Sequence, residues 1–427
     1  MARMHQSTGT KPLLLIFPFG LLSHYLRCLI LCRELRKYFE VRIAANADFT
    51  DFIRQEGIET FDCTDFNSAE VIKAVRKFNF SWLNSDLPEK IFAEQVRLIQ
   101  DLKPVAVLGD HSPTLKMAAE KTGTVFISLI NGYMSRHYRD HRPISRYHPA
   151  YKLLYWLPEH LRVRATVWGE AKAFRALHRS FNKIRTKEKL KSFNNYLEEL
   201  EGDVTLICDL PCLFPQHRLP PGYYFAGPLF YDRGVNDKKQ PLVMLHPKRT
   251  IIVSMGSSGE WIHAKFLNDV SYASFNVIAI GDGKRVLNAS HINHVRFGNV
   301  HELFPQADLI ICHGGNGTIY QAMLYNLPVL AFTTHCEQEW NMHALEKHGL
   351  GYRLDGINDE EQLRSIIAGA ITRPEQNADK QISEAIHEAM NAMPGVIAKI
   401  AAGFRDKQPR FPASIKAGEM VKEMVTR

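Results

Sequence analysis

The chain has 427 residues, of which 45% are hydrophobic, 10% aromatic and 23% charged, and its formal net charge is +8. This composition is that of a globular protein and excludes a disordered chain. The 21 prolines and 26 glycines are dispersed, which excludes collagen-like and linker-like sequences. No apolar run approaches the roughly 20 residues that a transmembrane helix needs, so we expect a cytoplasmic protein of about two domains.

Short β-rich runs alternate with helical segments in the first half of the chain. Continuous apolar strands between helices are typical of a parallel sheet that is covered on both faces. The predicted strands are Leu13–Phe17, Val41–Ala45, Val105–Leu108, Val125–Ile130 and Val204–Cys208. The predicted helices are Leu22–Tyr38, Pro88–Leu102 and Pro113–Thr122.

The seven cysteines form neither a disulfide framework nor two paired Cys-x-x-Cys motifs. Cys28 and Cys32 share a helix face, and Cys208 and Cys212 flank an Asp-Leu-Pro run. We interpret the cysteines as buried thiols rather than metal ligands. The sequence accordingly predicts no metal site.

Residues 136–191 carry 15 basic and four acidic side chains, mixed with aromatic residues. Such a mixture suits an anionic membrane surface, an acidic acceptor or a nucleic acid. Nucleic acid is the least favoured of these partners, since no DNA- or RNA-binding motif accompanies the segment. A solvated helix face whose aromatic side chains turn inward explains the same residues equally well.

A second alternating set of elements follows a stretch rich in proline, glycine and charge near residues 229–245. Its predicted strands are Ile251–Met255, Asn276–Ile280, Leu309–Cys312 and Val329–Phe332, and its predicted helices are Gly315–Tyr325, Glu337–His348 and Asp359–Ala370. We therefore predict an α/β protein with two facing doubly wound domains and a cleft between them. The expected divisions are residues 1–235, residues 236–402, and a helical tail of residues 403–427 that packs back on the first domain.

A strand at Leu309–Cys312 leads directly into HGGNGT, residues 313–318, and then into a helix. Glycines let the backbone approach a ligand, and the unpaired first amides of a helix attract an anion such as phosphate. His313 could add a hydrogen bond or a positive charge, while Asn316 or Thr318 could cap the helix. A tight strand-to-helix connection without a ligand is the alternative, because a glycine-rich turn alone is a weak signal. The spacing matches neither a Walker loop nor a dinucleotide fingerprint.

The run that starts at His313, HGGNGTIYQAMLYNLPVLAFTTHCEQEWNMHALEKHGLG, resembles the donor-binding signature of family 1 glycosyltransferases, the UDP-glycosyltransferase superfamily of GT-B fold. TIIVSMGSSG resembles the first strand of that family's C-terminal domain, and YYFAGPL resembles the approach to its interdomain linker. The resemblance implies a nucleotide-diphosphate sugar, foremost a UDP-sugar, as co-substrate and no separate cofactor.

The resemblance also implies which residues bind the donor. They are Gly256, Ser257, Ser258, His313, Gly314, Gly315, Asn316, Gly317, Thr318, Gln321, Glu337 and Gln338. Glu337 and Gln338 would bind the sugar, although an acidic helix start that complements the helix dipole also explains them. Gln321 replaces the family's ribose-binding Glu, and Asn299 and Val300 replace the Pro and Gln of its base-recognition loop. These departures leave TDP as an alternative to UDP.

The segment LLLIFPFGLLSHYLRCLILCREL resembles the family's opening strand, glycine loop and helix, where a His often acts as the base. His24 holds that position, and Ser23 replaces the family's Gly. LKPVAVLGDHSP resembles the segment of the dyad carboxylate and puts Asp110 at a strand end, with His111 as an adjacent rival. Such a His would deprotonate an acceptor hydroxyl while the carboxylate orients it. The alternative for His24 is a residue at a helix start without chemistry.

These features predict an inverting, metal-independent glycosyltransferase that moves a sugar from a nucleotide diphosphate to a hydroxyl acceptor. The acceptor would be lipid-linked or anionic if residues 136–191 contact it or an anionic membrane at the inner face. The helix amides would neutralise the leaving diphosphate, so no metal is expected. The alternatives are a nucleotide-sugar 2-epimerase, which would have no acceptor site, and a non-catalytic GT-B binding protein.

Overall fold

The first half of the protein forms a sheet of seven parallel strands. The computed structural model describes residues 11–231, 248–296, 300–372 and 380–405. In chain order the strands are β1 (Leu13–Pro18), β2 (Glu40–Ala44), β3 (Glu59–Phe61), β4 (Ala106–Asp110), β5 (Val125–Ile130), β6 (Val204–Ile207) and β7 (Tyr223–Phe225). Their spatial order is β3-β2-β1-β4-β5-β6-β7, which is the doubly wound arrangement that the sequence predicts.

Helices cover both faces of this sheet. The helices of this half are α1 (Leu22–Leu35), α2 (Thr50–Glu56), α3 (Ser68–Val75), α4 (Leu87–Leu102), α5 (Leu115–Thr122), α6 (Tyr151–Tyr155) and α7 (Glu159–Lys187), of which α6 lies on the surface and buries no residue. The first of them ends at Leu35 rather than at Tyr38, because the amides of Tyr38 and Phe39 both donate to the carbonyl of Leu35. The resulting turn buries Phe39 and leads the chain into β2.

The second half repeats this design with six parallel strands. They are β8 (Thr250–Ser254), β9 (Asn276–Ile280), β10 (Ile292–Val295), β11 (Leu309–Cys312), β12 (Val329–Ala331) and β13 (Gly351–Arg353), in the spatial order β10-β9-β8-β11-β12-β13. The helices are α8 (Val300–Leu303), α9 (Asn316–Leu324), α10 (Cys336–Lys347), α11 (Glu360–Thr372) and α12 (Lys380–Arg405). The prediction of two doubly wound units is thereby confirmed.

Four strands that the sequence pattern did not predict, β3, β7, β10 and β13, are the outermost strands of the two sheets. Each has three or four residues, and most of their side chains are partly exposed. The central strands are buried on both faces and therefore appear in the sequence as continuous apolar runs. The outer strands lack that signal, which is why periodicity did not reveal them.

Each sheet reverses its winding between two central strands, β1 beside β4 and β8 beside β11. At the carboxyl ends Pro18 pairs with Asp110, and Ser254 pairs with Cys312. Doubly wound sheets bind their ligands at such switch points. His24 follows β1, Asp110 ends β4, and the segments 256–258 and 313–318 follow β8 and β11, so the fold brings each group to a switch point; Glu337 and Gln338 follow the neighbouring β12.

The last helix, α12, joins the two halves of the molecule. It packs against α9 in the second half and against α1 and β7 in the first half. Near its end the ring of Phe404 lies 5.6 Å from that of Phe39. The return to the first sheet therefore takes place within α12. Residues 406–427 of the predicted tail and residues 232–247 at the predicted boundary lie outside the described residues.

Candidate active site

His24 and Asp110 meet at the carboxyl end of the first sheet. Nδ1 of His24, in the first turn of α1, lies 2.9 Å from Oδ1 of Asp110, the last residue of β4. The Asp110 side chain is fully buried, and that of His24 is 9% exposed. The carboxylate holds Nδ1 and leaves Nε2 for a substrate. The two residues thus have the arrangement expected of a general base and the group that orients it.

Arg27, one turn further along α1, is a third member of this group that the sequence analysis did not predict. Its Nε and Nη2 donate to the two carboxylate oxygens of Asp110 at 3.0 and 2.6 Å. Its Nη1 donates to Oδ1 of Asn131 at 2.8 Å and to Sγ of Cys208 at 3.2 Å. Arg27 is itself buried, so the ion pair is shielded from water. A bidentate pair of this kind fixes the plane of the carboxylate.

Burial and the ion pair together set the protonation of the site. Burial lowers the pKa of His24 below its ordinary value of 6.5; Asp110 opposes this effect and Arg27 adds to it. Burial by itself raises the pKa of Asp110, but Arg27 and His24 outweigh it and hold that pKa well below its ordinary value. At neutral pH the carboxylate is charged and His24 is neutral, which is the form that accepts a proton.

His111, the rival that the sequence offers, is close to the same carboxylate. Its Nδ1 lies 3.1 Å from Oδ1 of Asp110, and its Nε2 is buried without a hydrogen-bond partner in the described part of the chain. His24, Asp110 and His111 bring three potential ligand atoms within 4.8 Å of one another, as a metal site would. However, Nη2 of Arg27 lies 2.9 Å from Nδ1 of His24 and opposes a cation there. The geometry therefore favours a base over a metal centre.

The glycine-rich segment after β11 opens helix α9. Its N-cap is Gly315, and no side chain caps the helix. The residues of the first turn, through Thr318, are half-buried, and a Cβ placed on Gly317 would meet no atom within 4 Å. The first amides of an uncapped helix are unpaired donors at the positive end of its dipole. Open space beside such amides suits an anion.

The His313 ring packs between Gly256 and Gly315. Only glycine fits at these two positions, because a side chain there would collide with the ring. A Cβ on Gly256 would lie 2.5 Å from its ring carbon Cε1, and a Cβ on Gly315 would lie 2.2 Å from its Nε2. Gly256 and Ser257 are exposed, whereas the His313 ring is buried. Burial, with a contribution from His335, lowers the pKa of His313 to about 4. Of the two roles the sequence left open, His313 at neutral pH therefore offers a hydrogen bond rather than a charge.

Ser258 and Gln338 meet where the loops after β8 and β12 converge. Nε2 of Gln338 donates to Oγ of Ser258 at 3.1 Å, and its Oε1 accepts from the amide of Thr334 at 2.6 Å. The buried Gln338 amide is therefore held at both of its polar atoms. Glu337 and Gln321 are half-buried, at the start of α10 and on α9. The residues predicted to bind the donor therefore gather around the starts of these two helices.

Solved structures share this architecture. The structure of the calicheamicin glycosyltransferase CalG4 is 16% identical, covers 93% of this chain and 98% of its own, and superposes with a TM-score of 0.62. The glycosyltransferase VinC in complex with dTDP is 18% identical, covers 91% of this chain and 99% of its own, and gives a TM-score of 0.59. Likeness at this level of identity defines the fold, which is GT-B.

Sequence comparison adds the class of enzyme. Residues 274–395 match the model of the glycosyltransferase family 28 C-terminal domain. A PGL/p-HBAD biosynthesis glycosyltransferase of Mycobacterium tuberculosis is 24% identical over 397 residues, which cover 85% of this chain and 86% of the relative. The chain is a glycosyltransferase of the GT-B type. The resemblance to family 1 glycosyltransferases that the donor motif carries agrees with this class.

A series of hydrogen bonds in the glycosyltransferase connects the base to the start of α9. Nδ2 of Asn131, which follows β5, donates to Asp209 at 3.3 Å, and Arg27 donates to the same Asn131. Nδ2 of Asn316 donates to the other oxygen of Asp209 at 2.7 Å. Asp209 follows β6 and Asn316 opens α9, so this bond crosses from one sheet to the other. The two switch points therefore face each other and share one polar network.

The basic segment, residues 136–191, contains some cations that pair within the protein and others that are exposed. Arg146 donates to the carbonyl of Thr333 in the second half at 2.7 Å, and the buried Arg185 pairs with Glu199 at 2.5 Å. These cations have partners within the protein, whereas most of those on α6 and α7 are exposed. No helix in the described part of the chain combines the length and apolar character of a membrane span.

Proposed function

We propose that this glycosyltransferase moves a sugar from a nucleotide diphosphate to a hydroxyl acceptor in one displacement, with inversion at the anomeric carbon. The observation that carries the proposal is the neutral His24, oriented by Asp110, in one polar network with the uncapped start of α9. The base and the leaving-group site then lie on the two sides of a shared cleft, as an in-line displacement requires.

In the proposed reaction, Nε2 of His24 takes the proton of the acceptor hydroxyl while the acceptor oxygen bonds to the anomeric carbon. The bond from that carbon to the diphosphate oxygen breaks, and its electron pair leaves with the diphosphate. Amides of the first turn of α9, from Gly315 to Thr318, and the neutral His313 donate hydrogen bonds to this anion. Asp110 stabilises the imidazolium. The helix amides perform the charge neutralisation, so the proposal includes no metal and no further cofactor.

For the donor we propose a UDP-sugar, with a TDP-sugar as the competing choice. The glycine motif supports a nucleotide diphosphate, and the dTDP complex of VinC supports the second choice. This chain has Gln321 at the position where the family usually has the Glu that contacts the ribose. This departure keeps a TDP-sugar as the competing choice. For the acceptor we propose a lipid-linked or anionic hydroxyl compound, used at the cytoplasmic face of a membrane.

Donor binding and turnover test the proposal separately. Calorimetry with a panel of UDP- and TDP-sugars identifies the donor, and release of the nucleoside diphosphate is then followed with lipid-linked and small hydroxyl acceptors. Changing His24 to Ala should leave donor binding intact and reduce release by about 10²–10⁴-fold, which is the usual contribution of a general base. The matched control is His387→Ala, because His387 is exposed on α12 and takes no part in the network.

Two results would contradict the proposal. Interconversion of two nucleotide sugars without release of the diphosphate would identify an epimerase. Donor binding without turnover across the whole acceptor panel would identify a non-catalytic binding protein.

A further inference from the structure

Helix α6 and the first half of α7 expose an unusual number of large apolar side chains. Trp156 is 84% exposed, Leu153 76% and Trp168 63%. Six of the ten large hydrophobic side chains that are exposed among the described residues lie between positions 153 and 168. The other three are Tyr155, Leu161 and Val167. A dense apolar cluster on a protein surface marks a contact with a partner.

Exposed cations continue the same face along α7. Positions three and four residues apart share one face of a helix. Six exposed residues of α7 follow this spacing and therefore form one stripe along the helix: Arg164, Trp168, Lys172, Arg175, Arg179 and Lys183. Nζ of Lys172 lies 3.5 Å from the centre of the Trp168 ring. The whole helix has eight Lys and Arg against two acids, Glu159 and Glu170, and the second of these pairs with Arg142.

The apolar cluster and the stripe form a single surface, which we call the α6–α7 surface. It comprises the exposed side chains of Leu153, Tyr155, Trp156, Leu161, Arg164, Val167, Trp168, Lys172, Arg175, Arg179 and Lys183. Tryptophan and leucine on a basic helix insert at the boundary between lipid headgroups and acyl chains, while the cations attract anionic headgroups. An anionic bilayer therefore complements both parts of the surface.

Other occupants complement it less well. A second copy of the chain would place the same cations against each other, which like charge opposes. A nucleic acid would satisfy the cations and stack on the tryptophans, but it offers no apolar phase to the aliphatic Leu153, Leu161 and Val167. Charge and apolar character together therefore select the lipid surface.

The α6–α7 surface is rigidly attached and lies beside the cleft. The second half of α7 is anchored in the core through Phe181 and Ile184. Shortly before α6 begins, the hydroxyl of Tyr147 donates to the carbonyl of Thr333 in the donor-binding half at 2.7 Å. A membrane that contacts this surface is consequently close to the cleft between the two sheets.

We infer that the α6–α7 surface docks the glycosyltransferase on an anionic membrane, with α6 and the first half of α7 lying in the plane of the interface. Docking would present a lipid-linked acceptor to the cleft, and this part of the inference rests on the proposed function. The docking itself needs no sugar transfer, so the inactive His24→Ala variant should bind vesicles as the natural protein does.

Co-sedimentation of the full chain with vesicles tests the inference. Phosphatidylcholine vesicles with and without phosphatidylserine are compared at low and high salt. Arg175→Gln/Arg179→Gln should weaken binding to the anionic vesicles by about 30-fold, from the typical contribution of two cations near a charged bilayer. The charge-matched control, Lys90→Gln/Lys265→Gln, removes two exposed cations elsewhere and should retain the binding.

The apolar part of the surface has its own test. Trp156→Ser/Trp168→Ser should abolish the binding that remains at high salt, because salt screens the cations but not apolar insertion. Val270→Ser/Tyr352→Ser, at two exposed apolar positions elsewhere, is the control and should bind as before. Tryptophan fluorescence of the natural protein should shift to shorter wavelength on binding, and thermal unfolding shows whether each variant is folded.

Three results would overturn the inference. They are equal binding to neutral and anionic vesicles, no vesicle binding at all, and binding that the folded Arg175/Arg179 and Trp156/Trp168 variants leave unchanged. Self-association, or capture of RNA, that these same variants abolish would assign the surface to a different partner. If the His24→Ala variant binds vesicles but the natural protein transfers no sugar, the surface stands and the proposed function fails.

Discussion

Replacing Asp110 by Asn perturbs the base and the buried ion pair in one step. The substitution keeps the size of the side chain and removes the charge that His24 and Arg27 share. Because Arg27 is buried, its guanidinium would keep contacts to Asn131 and Cys208 but lose its counter-charge. We therefore expect a protein that is both less stable and less active.

The magnitudes follow from the burial of the pair. Removing one partner of a buried ion pair typically costs about 3–5 kcal/mol, because the other charge is left uncompensated. That is a large part of the roughly 5–15 kcal/mol by which domains are stable. The rate should fall by about 10²–10⁴-fold, since His24 loses the group that holds its ring and stabilises its cation. Arg27→Met/Asp110→Asn should regain most of the stability, because no buried charge remains, but not the rate.

Guanidinium denaturation followed by tryptophan fluorescence measures the stability of each variant, and release of nucleoside diphosphate at saturating donor measures its rate. Asp62→Asn, at an exposed carboxylate, is the control for the loss of an acidic charge. An Asp110→Asn protein that unfolds at the natural midpoint would refute the buried ion pair. One that keeps the natural rate would refute the base assignment, and a double variant as unstable as the single one would refute the uncompensated charge of Arg27 as the cause.

Because burial holds the pKa of His24 below its ordinary value, the acid limb of a pH–rate profile should be centred below pH 6.5; an acid limb centred at or above 6.5 would contradict this. Because the pKa of His24 is lower in the folded than in the unfolded chain, the unfolded chain binds this proton at a higher pH. The free energy of unfolding should therefore decrease as the pH falls below about 6.5. Gly317→Ala should stabilise α9 by about 0.5–1 kcal/mol and raise the donor Kd in calorimetry, whereas Gly369→Ala on α11 should stabilise the protein and leave the Kd unchanged; an unchanged Kd in both would place the donor elsewhere. Asn316→Ala removes a hydrogen bond to the buried carboxylate of Asp209 and should lower the free energy of unfolding by about 1–3 kcal/mol while weakening donor binding; a loss of neither would show that the bond between the sheets is unimportant.

The sequence predicted the central strands of both sheets because burial on both faces requires unbroken apolar runs. The predicted strands Val125–Ile130, Asn276–Ile280 and Leu309–Cys312 have the bounds that the structure shows. The edge strands and the length of α7 were not predicted, since short half-exposed strands carry no such run. Half of α7 is also exposed, so its apolar stripe is interrupted by cations.

The site was predicted where a family motif or a strand end marked it, and the rest of its polar network was missed. Asp110 was noticed because it ends an apolar strand. Asn131 and Asp209 occupy the same kind of position, after β5 and β6, and the same rule would have found them. Arg27 carried a weaker signal, its spacing of three residues from His24 on one helix face. In a chain with so many cations, an arginine on a helix is ordinarily solvated, and only the fold shows that this one is buried.

The pairing of Arg27 with Asp110 also bears on how the proposed diphosphate donor would be held. Asp110 neutralises Arg27, and His24 and His313 are both neutral at neutral pH because burial lowers their pKa values. The residues that the motif assigns to the donor include no lysine or arginine. In the proposed reaction, the negative charge that develops on the leaving diphosphate would then be met chiefly by main-chain amides at the start of α9, where the helix dipole is positive. Fixed amides need no proton exchange to bind an anion, so donor affinity should be nearly independent of pH between 6 and 8 even where the rate begins to change.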